Sequence, residues 1–205
     1  IFDYSKPGTC KVTMRGYVDE FLKEYDRIEG AEDVPAGSNL FKIDKTSALL
    51  NEQRKKEFHS ITAKLLYLAK RVRPDLLTAV SFLSKRVQKP TEQDERKLHR
   101  AVRYLRGTRE LGIVLQADKN ISVLAYVDAS YGVHDDYKSH TGVVIGIGRG
   151  PVYAKSSTQK LNSKSSSEAE LIGLSDSTGQ IVWTRNFLIA QGYQLGPATV
   201  YEDNI

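Results

Sequence analysis

Cysteine is nearly absent from this 205-residue chain. The single Cys10 excludes an internal disulfide framework and any multi-cysteine zinc site, and it suits a reducing compartment. Apolar runs are short, and none approaches the ~20 residues of a membrane-spanning helix. The opening Ile1-Phe2-Asp3-Tyr4-Ser5-Lys6-Pro7 has no basic region followed by an apolar core, so it does not read as a secretory signal. It also lacks an initiator Met, and the chain reads as a piece cut from something longer. Other signatures are missing too. Gly142, Gly146, Gly148 and Gly150 do not follow a strand and open a helix, so they form no phosphate-cradling fingerprint and suit a twisted hairpin instead. His59, His99, His134 and His140 have no metal-ligand spacing with one another or with Cys10. No Gly-x-Ser-x-Gly elbow supports a hydrolase built on Asp128, Ser130 and His140.

What is present is ordinary in bulk and uneven in distribution. Hydrophobic residues make up 40% of the chain and charged residues 27%, enough for a core and a solvated surface. Residues 1–120 carry 24 Lys and Arg against 17 Asp and Glu, a net +7, whereas residues 121–205 carry 6 against 8, a net −2. The excess concentrates in residues 54–109, with 16 basic and 5 acidic side chains, a net +11. A basic segment beside an acidic one suggests a polyanion held by the first and cut by the second. The plainer alternative is a solvated basic face without a partner. Tyr67 and Tyr104 lie among Lys64, Lys70, Arg71, Arg100, Arg103 and Arg106. That mixture suits base stacking with phosphate contacts, and equally core packing with snorkelling basic stems. Trp183, near Ile181 and Phe187, is expected in the core.

Punctuation divides the chain. Tyr17, Val18, Phe21, Leu22 and Tyr25 recur at helical spacing over 13–26. Residues 29–48 read as a loop. A helix over about 52–72 carries Phe58, Ile61, Leu65, Leu68 and Val72 on one face, and Pro74 ends it. A second stripe follows with Leu76, Val80, Leu83 and Val87, until Pro90. Thr91 with Asp94 reads as an N-cap signature opening a third helix that buries Leu98, Ala101, Val102 and Leu105, with Gly107 at its C′ position. The period then changes to two, with Leu111, Ile113 and Leu115, and later Val123, Ala125 and Val127. Thr141–Ile147 is β-rich, Gly148-Arg149-Gly150 turns it, and Val152–Lys155 returns as a hairpin partner. The serine-rich 156–166 reads as a loop. A helix of about 25 residues follows, with Leu171, Leu174, Ile181, Leu188 and Ile189 inward and Gly192 closing it. A last strand begins at Thr199. The class is therefore α/β.

Three carboxylates stand out in this order. Asp128 ends the strand Ala125-Tyr126-Val127-Asp128, Glu170 lies in the helix start Ser167-Glu168-Ala169-Glu170-Leu171, and Asp203 ends Val200-Tyr201-Glu202-Asp203. Strand ends and helix starts meet at one rim of an α/β sheet. Carboxylates crowded there ionise together only when a cation shares them, and hard oxygen donors suit Mg²⁺ or Mn²⁺ and phosphate-ester chemistry. Taken singly, each is an ordinary strand-end or first-turn charge. Glu168 competes with Glu170, since Ser165–Glu168 and Ser167–Glu170 both fit a capping box. Asp135 and Asp136 read as solvated loop acids.

The stretch Tyr126–Asn204 resembles the ribonuclease H domain of copia-type (Ty1/copia) retrotransposon Pol polyproteins. Upstream, Lys64-Leu65-Leu66-Tyr67-Leu68-Ala69-Lys70, Arg73-Pro74-Asp75, Lys89-Pro90-Thr91 and Arg103-Tyr104-Leu105-Arg106-Gly107-Thr108 resemble the segment between reverse-transcriptase palm and ribonuclease H. The resemblance implies a helical, basic thumb- or connection-like region over 1–110. It implies a ribonuclease H-like mixed sheet with a long helix over 111–205, truncated after its fourth strand. It assigns catalysis and metal binding to Asp128, Glu170 and Asp203, with two Mg²⁺ or Mn²⁺ ions. It implies an RNA–DNA hybrid as substrate, with Lys64, Lys70, Arg71, Arg100, Arg103 and Arg106 on nucleic acid. The rest of Pol is the implied partner, no membrane is involved, and the setting is intracellular: cytoplasm, virus-like particle or nucleus, not secreted. The polymerase's Asp-Asp motif is expected before Ile1. Because the family continues beyond the third acid, residues 1–205 alone are expected to cut weakly or not at all. The reading from another class is a fragment or domesticated remnant that binds nucleic acid without catalysis.

Overall fold

The computed structural model describes residues 1–116 and 121–202. It is mixed α/β, and the chain divides into two compact units: Ile1 with Thr13–Gly112, and Phe2–Val12 with Ile113–Ile205.

The first unit is helical. Helices α1 (Arg15–Glu24), α2 (Glu52–Ala69), α3 (Leu77–Ser84) and α4 (Glu92–Gly107) follow one another, with a 3₁₀ turn at Pro74–Leu76 leading into α3. Asn51 starts α2, its side chain accepting from the Arg54 amide at 2.9 Å. Thr91 and Asp94 form the reciprocal capping box the sequence predicts, and Asp94 is wholly buried. The apolar stripes meet in one core: Phe58, Ile61, Leu65 and Leu68 from α2, Val80 and Leu83 from α3, and Leu98, Ala101, Val102 and Leu105 from α4. α3 ends at Ser84, so Val87 lies beyond it. The 29–48 segment has neither helix nor strand, yet Leu40 anchors it in the core.

Gly107 differs from expectation. It is the last helical residue, and Thr108 is the C-cap. An added Cβ there would lie 3.3 Å from the Ala31 Cβ and 3.5 Å from the Glu32 carbonyl. The glycine lets the 29–48 loop approach the helix end rather than supplying a left-handed cap.

The second unit holds two sheets. Strands β1 (Phe2–Asp3), β2 (Thr9–Val12) and β3 (Ile113–Gln116) form an antiparallel sheet in that order. The amino-terminal hairpin had no counterpart in the sequence reading, and it recruits the strand that carries Ile113 and Leu115. Strands β4 (Leu124–Ser130), β5 (His140–Gly146), β6 (Pro151–Thr158) and β7 (Thr199–Tyr201) form a mixed sheet of order β6-β5-β4-β7. β4, β5 and β6 are antiparallel neighbours, and β7 runs parallel to β4. β6 runs through Ser156, Ser157 and Thr158, which the composition had assigned to a loop. Their pairing with His140–Gly142 explains it.

The long helix α5 (Ser166–Ala190) covers one face of this sheet. Its buried stripe is Ala169, Glu170, Gly173, Ser177, Ile181, Thr184 and Leu188. Leu171, at 64% exposure, and Ile189 face outward, contrary to expectation, and Leu174 is only half-buried. Trp183 is 59% exposed and stacks on Phe187 rather than entering the core. The reason is distance: small residues allow α5 to sit low on the sheet, and bulky ones on that line would lift it. Val123, Ala125, Val127, Val143 and Ile145 meet Ile181 and Leu188 beneath it. Gly192, with φ +93°, closes the helix as predicted. Among the described residues no helix is long and apolar enough to cross a membrane.

Candidate functional site

Asp128 sits near the end of β4, directly across from Gly142 of β5. The pleat sorts its neighbours. Val127 and Ala129 are buried on the face under α5, whereas Tyr126, Asp128 and Ser130 share the exposed face. Gly142 opposite leaves open space, since an added Cβ would meet nothing within 4 Å.

Glu170 arrives from the helix. It is the fifth residue of α5 and is 6% exposed. Its level over the sheet is fixed by its neighbours. Gln159 Nε2 donates both to the Ala169 carbonyl at 2.7 Å and to Thr141 Oγ1 at 2.9 Å. Gly173, one turn on, lies against Thr141 and Val127. Thr141 pairs with Ala129, the residue after Asp128. Glu170 thus lies under α5 near Thr141, whereas Asp128 lies on the other, exposed face of β4.

Glu168 is occupied differently. Ser165 is the N-cap, its Oγ accepting from the Glu168 amide at 3.1 Å, and Glu168 Oε2 accepts from the Lys164 amide at 2.6 Å. Glu168 therefore ties down the helix entry, and the inward position belongs to Glu170.

Asp203 lies outside the described residues. The parallel register sets Tyr126 against Tyr201, each two residues before an expected site acid in the sequence. The two tyrosine rings stack at 4.9 Å, half-exposed, on the Asp128 face. Among the described residues no group of three or more His, Cys, Asp and Glu is placed to hold a metal ion, and only two of the three expected ligands are among them. Asp128 and Glu170 bring carboxylate oxygens, the donor type that suits Mg²⁺ or Mn²⁺.

The structure adds a polar line that the sequence did not disclose. His134 Nε2 and His140 Nδ1 share a hydrogen bond of 3.0 Å. His140 Nε2 meets Ser156 Oγ at 2.6 Å, and Thr158 Oγ1 meets His134 Nε2 at 2.8 Å. Both imidazoles are buried. Cross-strand pairing puts His140 beside Ser130 and Ser156 beside Gly142, so this line shares a face with Asp128.

The basic residues of the first unit are largely engaged within it. Lys64 Nζ bonds Glu24 at 2.5 Å, which raises the lysine's affinity for its proton and lowers that of the carboxyl. Arg100 and Arg103 meet Glu32 at 3.0 and 3.6 Å. Arg106 donates to the carbonyls of Tyr25 and Asp26. Arg71 lies over the Tyr67 ring, 3.6 Å from its centroid. Lys70 is exposed, with no side-chain hydrogen bond or ion pair among the described residues. The two tyrosines divide: Tyr67 is 43% exposed, whereas Tyr104 is buried and bonds Asp75 at 2.8 Å.

No family model and no solved structure matches the chain. Among known proteins, it is 37% identical over 151 residues to the retrovirus-related Pol polyprotein from transposon RE2 of Arabidopsis thaliana, and 36% identical over 151 residues to that from transposon RE1 of the same plant. Each match covers 73% of this chain and 10% of the relative. It is also 28% identical over 200 residues to the retrovirus-related Pol polyprotein from transposon TNT 1-94 of Nicotiana tabacum, covering 94% of this chain and 15% of that protein. The chain therefore spans about a tenth of the length of the first two relatives.

Proposed function

This chain belongs to the copia-type (Ty1/copia) retrotransposon Pol polyproteins, and we propose that it carries the ribonuclease H portion of such a reverse transcriptase. The second unit is the ribonuclease H-like part, and the helical, basic first unit is the thumb- or connection-like end of the polymerase. The reaction is metal-dependent hydrolysis of the RNA strand of an RNA–DNA hybrid. What supports this reading is the order of the elements, with Asp128 on β4 and Glu170 near the start of α5, the helix that covers the same sheet.

Asp128, Glu170 and Asp203 are the residues that would hold Mg²⁺ or Mn²⁺. Such ions, bound as a pair, activate water and stabilise the leaving oxygen of a phosphodiester. Asp128, on the exposed face, is the ligand open to the substrate side. Glu170 is held within the buried stripe of α5, where a lower dielectric strengthens its attraction for a cation. Glu168 keeps the helix start in place without serving as a ligand. The hybrid, the rest of Pol and an intracellular setting complete the proposal, with no membrane.

The test is cleavage of a labelled RNA–DNA hybrid by a Pol polyprotein carrying this segment. Cleavage is expected with Mg²⁺ and lost with a chelator. Asp128→Asn is expected to abolish it with folding intact, and undiminished cleavage by that variant would overturn the reading. One observation favours a second reading, a nucleic-acid-binding remnant without catalysis. Among the described residues β7 has three residues, all exposed, and its one neighbour is β4. Hybrid binding without metal-dependent cleavage is the result that reading expects.

A further inference from the structure

The outer side of α4 carries Arg96, Lys97, Arg100 and Arg103, at relative positions 0, 1, 4 and 7 of one helix face. Together with Asn39 and Gln93 they line a cavity of about 240 Å³, closed on its other side by the 29–48 loop. No acidic side chain lines it. Like charges spaced by three or four residues on a helix are mutually destabilising by about 0.2–0.5 kcal/mol per pair. Glu32 is the carboxylate in direct ion-pair contact with this row, while Asp44 acts on Arg96 and Asp94 on Lys97 from farther off. Glu32 reaches Arg100 and Arg103 only.

Arg96 is exposed and makes no hydrogen bond or ion pair among the described residues. Lys97 is held by the Lys42 carbonyl at 2.6 Å and lies over the Phe82 ring at 4.9 Å. Burial lowers its affinity for its proton, opposed by Asp94. A concave wall of cations focuses potential more strongly than a flat basic face. Guanidinium forks match phosphate oxygens in pairs. From Arg96 to Arg103 the helix rises about 10 Å, and one strand of a duplex presents a phosphate about every 3.4 Å of its axis. The row is long enough to follow a strand.

We propose that this pocket on α4 is a phosphate subsite that grips the sugar–phosphate backbone of a nucleic-acid strand, centred on Arg96 and Lys97. It rests on the reading of the chain as a nucleic-acid-acting Pol segment and deepens it, moving the principal grip to residues the sequence pattern had not singled out.

The experiment measures binding of a fluorescein-labelled RNA–DNA hybrid to the full 205-residue chain over a series of KCl concentrations, without divalent metal. Arg96→Gln should raise Kd several-fold at low salt and make the slope of log K against log salt shallower by about 1, the loss of one phosphate contact. Arg96→Lys should keep the slope. Arg109→Gln, an exposed basic residue outside the pocket, should leave it unchanged. Because Arg96 is exposed, the helical circular dichroism of each variant should match the parent. An unaltered slope in Arg96→Gln overturns the pocket alone. A chain that takes up inorganic phosphate but no hybrid also overturns it. The expected slope change together with cleavage that does not depend on Asp128 would instead overturn the nuclease reading and leave the pocket standing.

Discussion

Gly173 of α5 rests on Thr141 of β5 so closely that an added Cβ would lie 3.2 Å from both Cγ2 and Oγ1 of that threonine. This contact sets the height of the helix over the sheet, and with it the level of Glu170 one turn earlier. Gly173→Val should force the helix outward and cost about 1–3 kcal/mol through overpacking. Urea denaturation followed by circular dichroism checks it. An unchanged midpoint would mean that the helix is not seated as described. Hybrid cleavage by the same variant should fall further than stability alone explains, because Glu170 moves with the helix.

Arg73 is 1% exposed and satisfies three groups at once. It bonds the Asp75 carboxylate, at 2.7 Å from Nη2, the Thr108 carbonyl at 3.0 Å and Thr108 Oγ1 at 2.6 Å. Its role is structural. Arg73→Ala should destabilise the first unit by about 3 kcal/mol, because it strips a buried network of its donors. Tyr104→Phe, which removes only the bond to Asp75, should cost about 1 kcal/mol. Equal losses from the two changes would contradict this division.

Acid should weaken the first unit in two stages. Burial holds the His99 imidazole below its ordinary pKa, opposed by nearby Glu95. The unfolded chain then binds the proton first, so stability contributed above about pH 6.5 is lost as pH falls through the lower folded value. The Arg54 guanidinium lowers the Glu95 carboxyl by hydrogen bonding. Its contribution is present above the ordinary carboxyl range and disappears at still lower pH. Thermal unfolding between pH 7.5 and 5.5 should show a falling midpoint in the parent and a flatter profile in His99→Gln. Parallel profiles would exclude His99 as the cause.

Trp183 is the chain's single tryptophan, so its fluorescence reports on the outer face of α5 without deconvolution. Its 59% exposure predicts long-wavelength emission that acrylamide quenches readily. Blue-shifted, protected emission would mean that this face is covered in solution.

Much of this architecture could be read from local signals. The Thr91–Asp94 box, the stripe from Phe58 to Leu68 and the alternation around Val127 each depend on residues a few positions apart, and each element appeared where they indicated. The buried face of α5 could not be read in that way. Hydrophobicity pointed to Leu171, Leu174 and Ile189, but close contact with a sheet selects the small Ala169, Gly173 and Ser177. The pairing of Lys11 with Val114 was also invisible, because nothing local links strands a hundred residues apart. For the site, strand-end and helix-start logic singled out Asp128 on β4 and Glu170 near the start of α5. The His134–His140 line and the α4 pocket needed the register and the folded loop to appear.

The proposed nuclease function turns on Glu170, not Glu168, joining Asp128 as a metal-holding carboxylate. The direct measurement is Mg²⁺-dependent cleavage of an RNA–DNA hybrid by the Pol polyprotein carrying Glu170→Gln or Glu168→Gln, with hybrid binding recorded in parallel. Glu170→Gln should lower the cleavage rate by about 100-fold or more while binding persists. Glu168→Gln, which keeps a side-chain oxygen for the Lys164 amide, should retain most of the activity. Near-normal cleavage by Glu170→Gln, or a loss confined to Glu168→Gln, would contradict it.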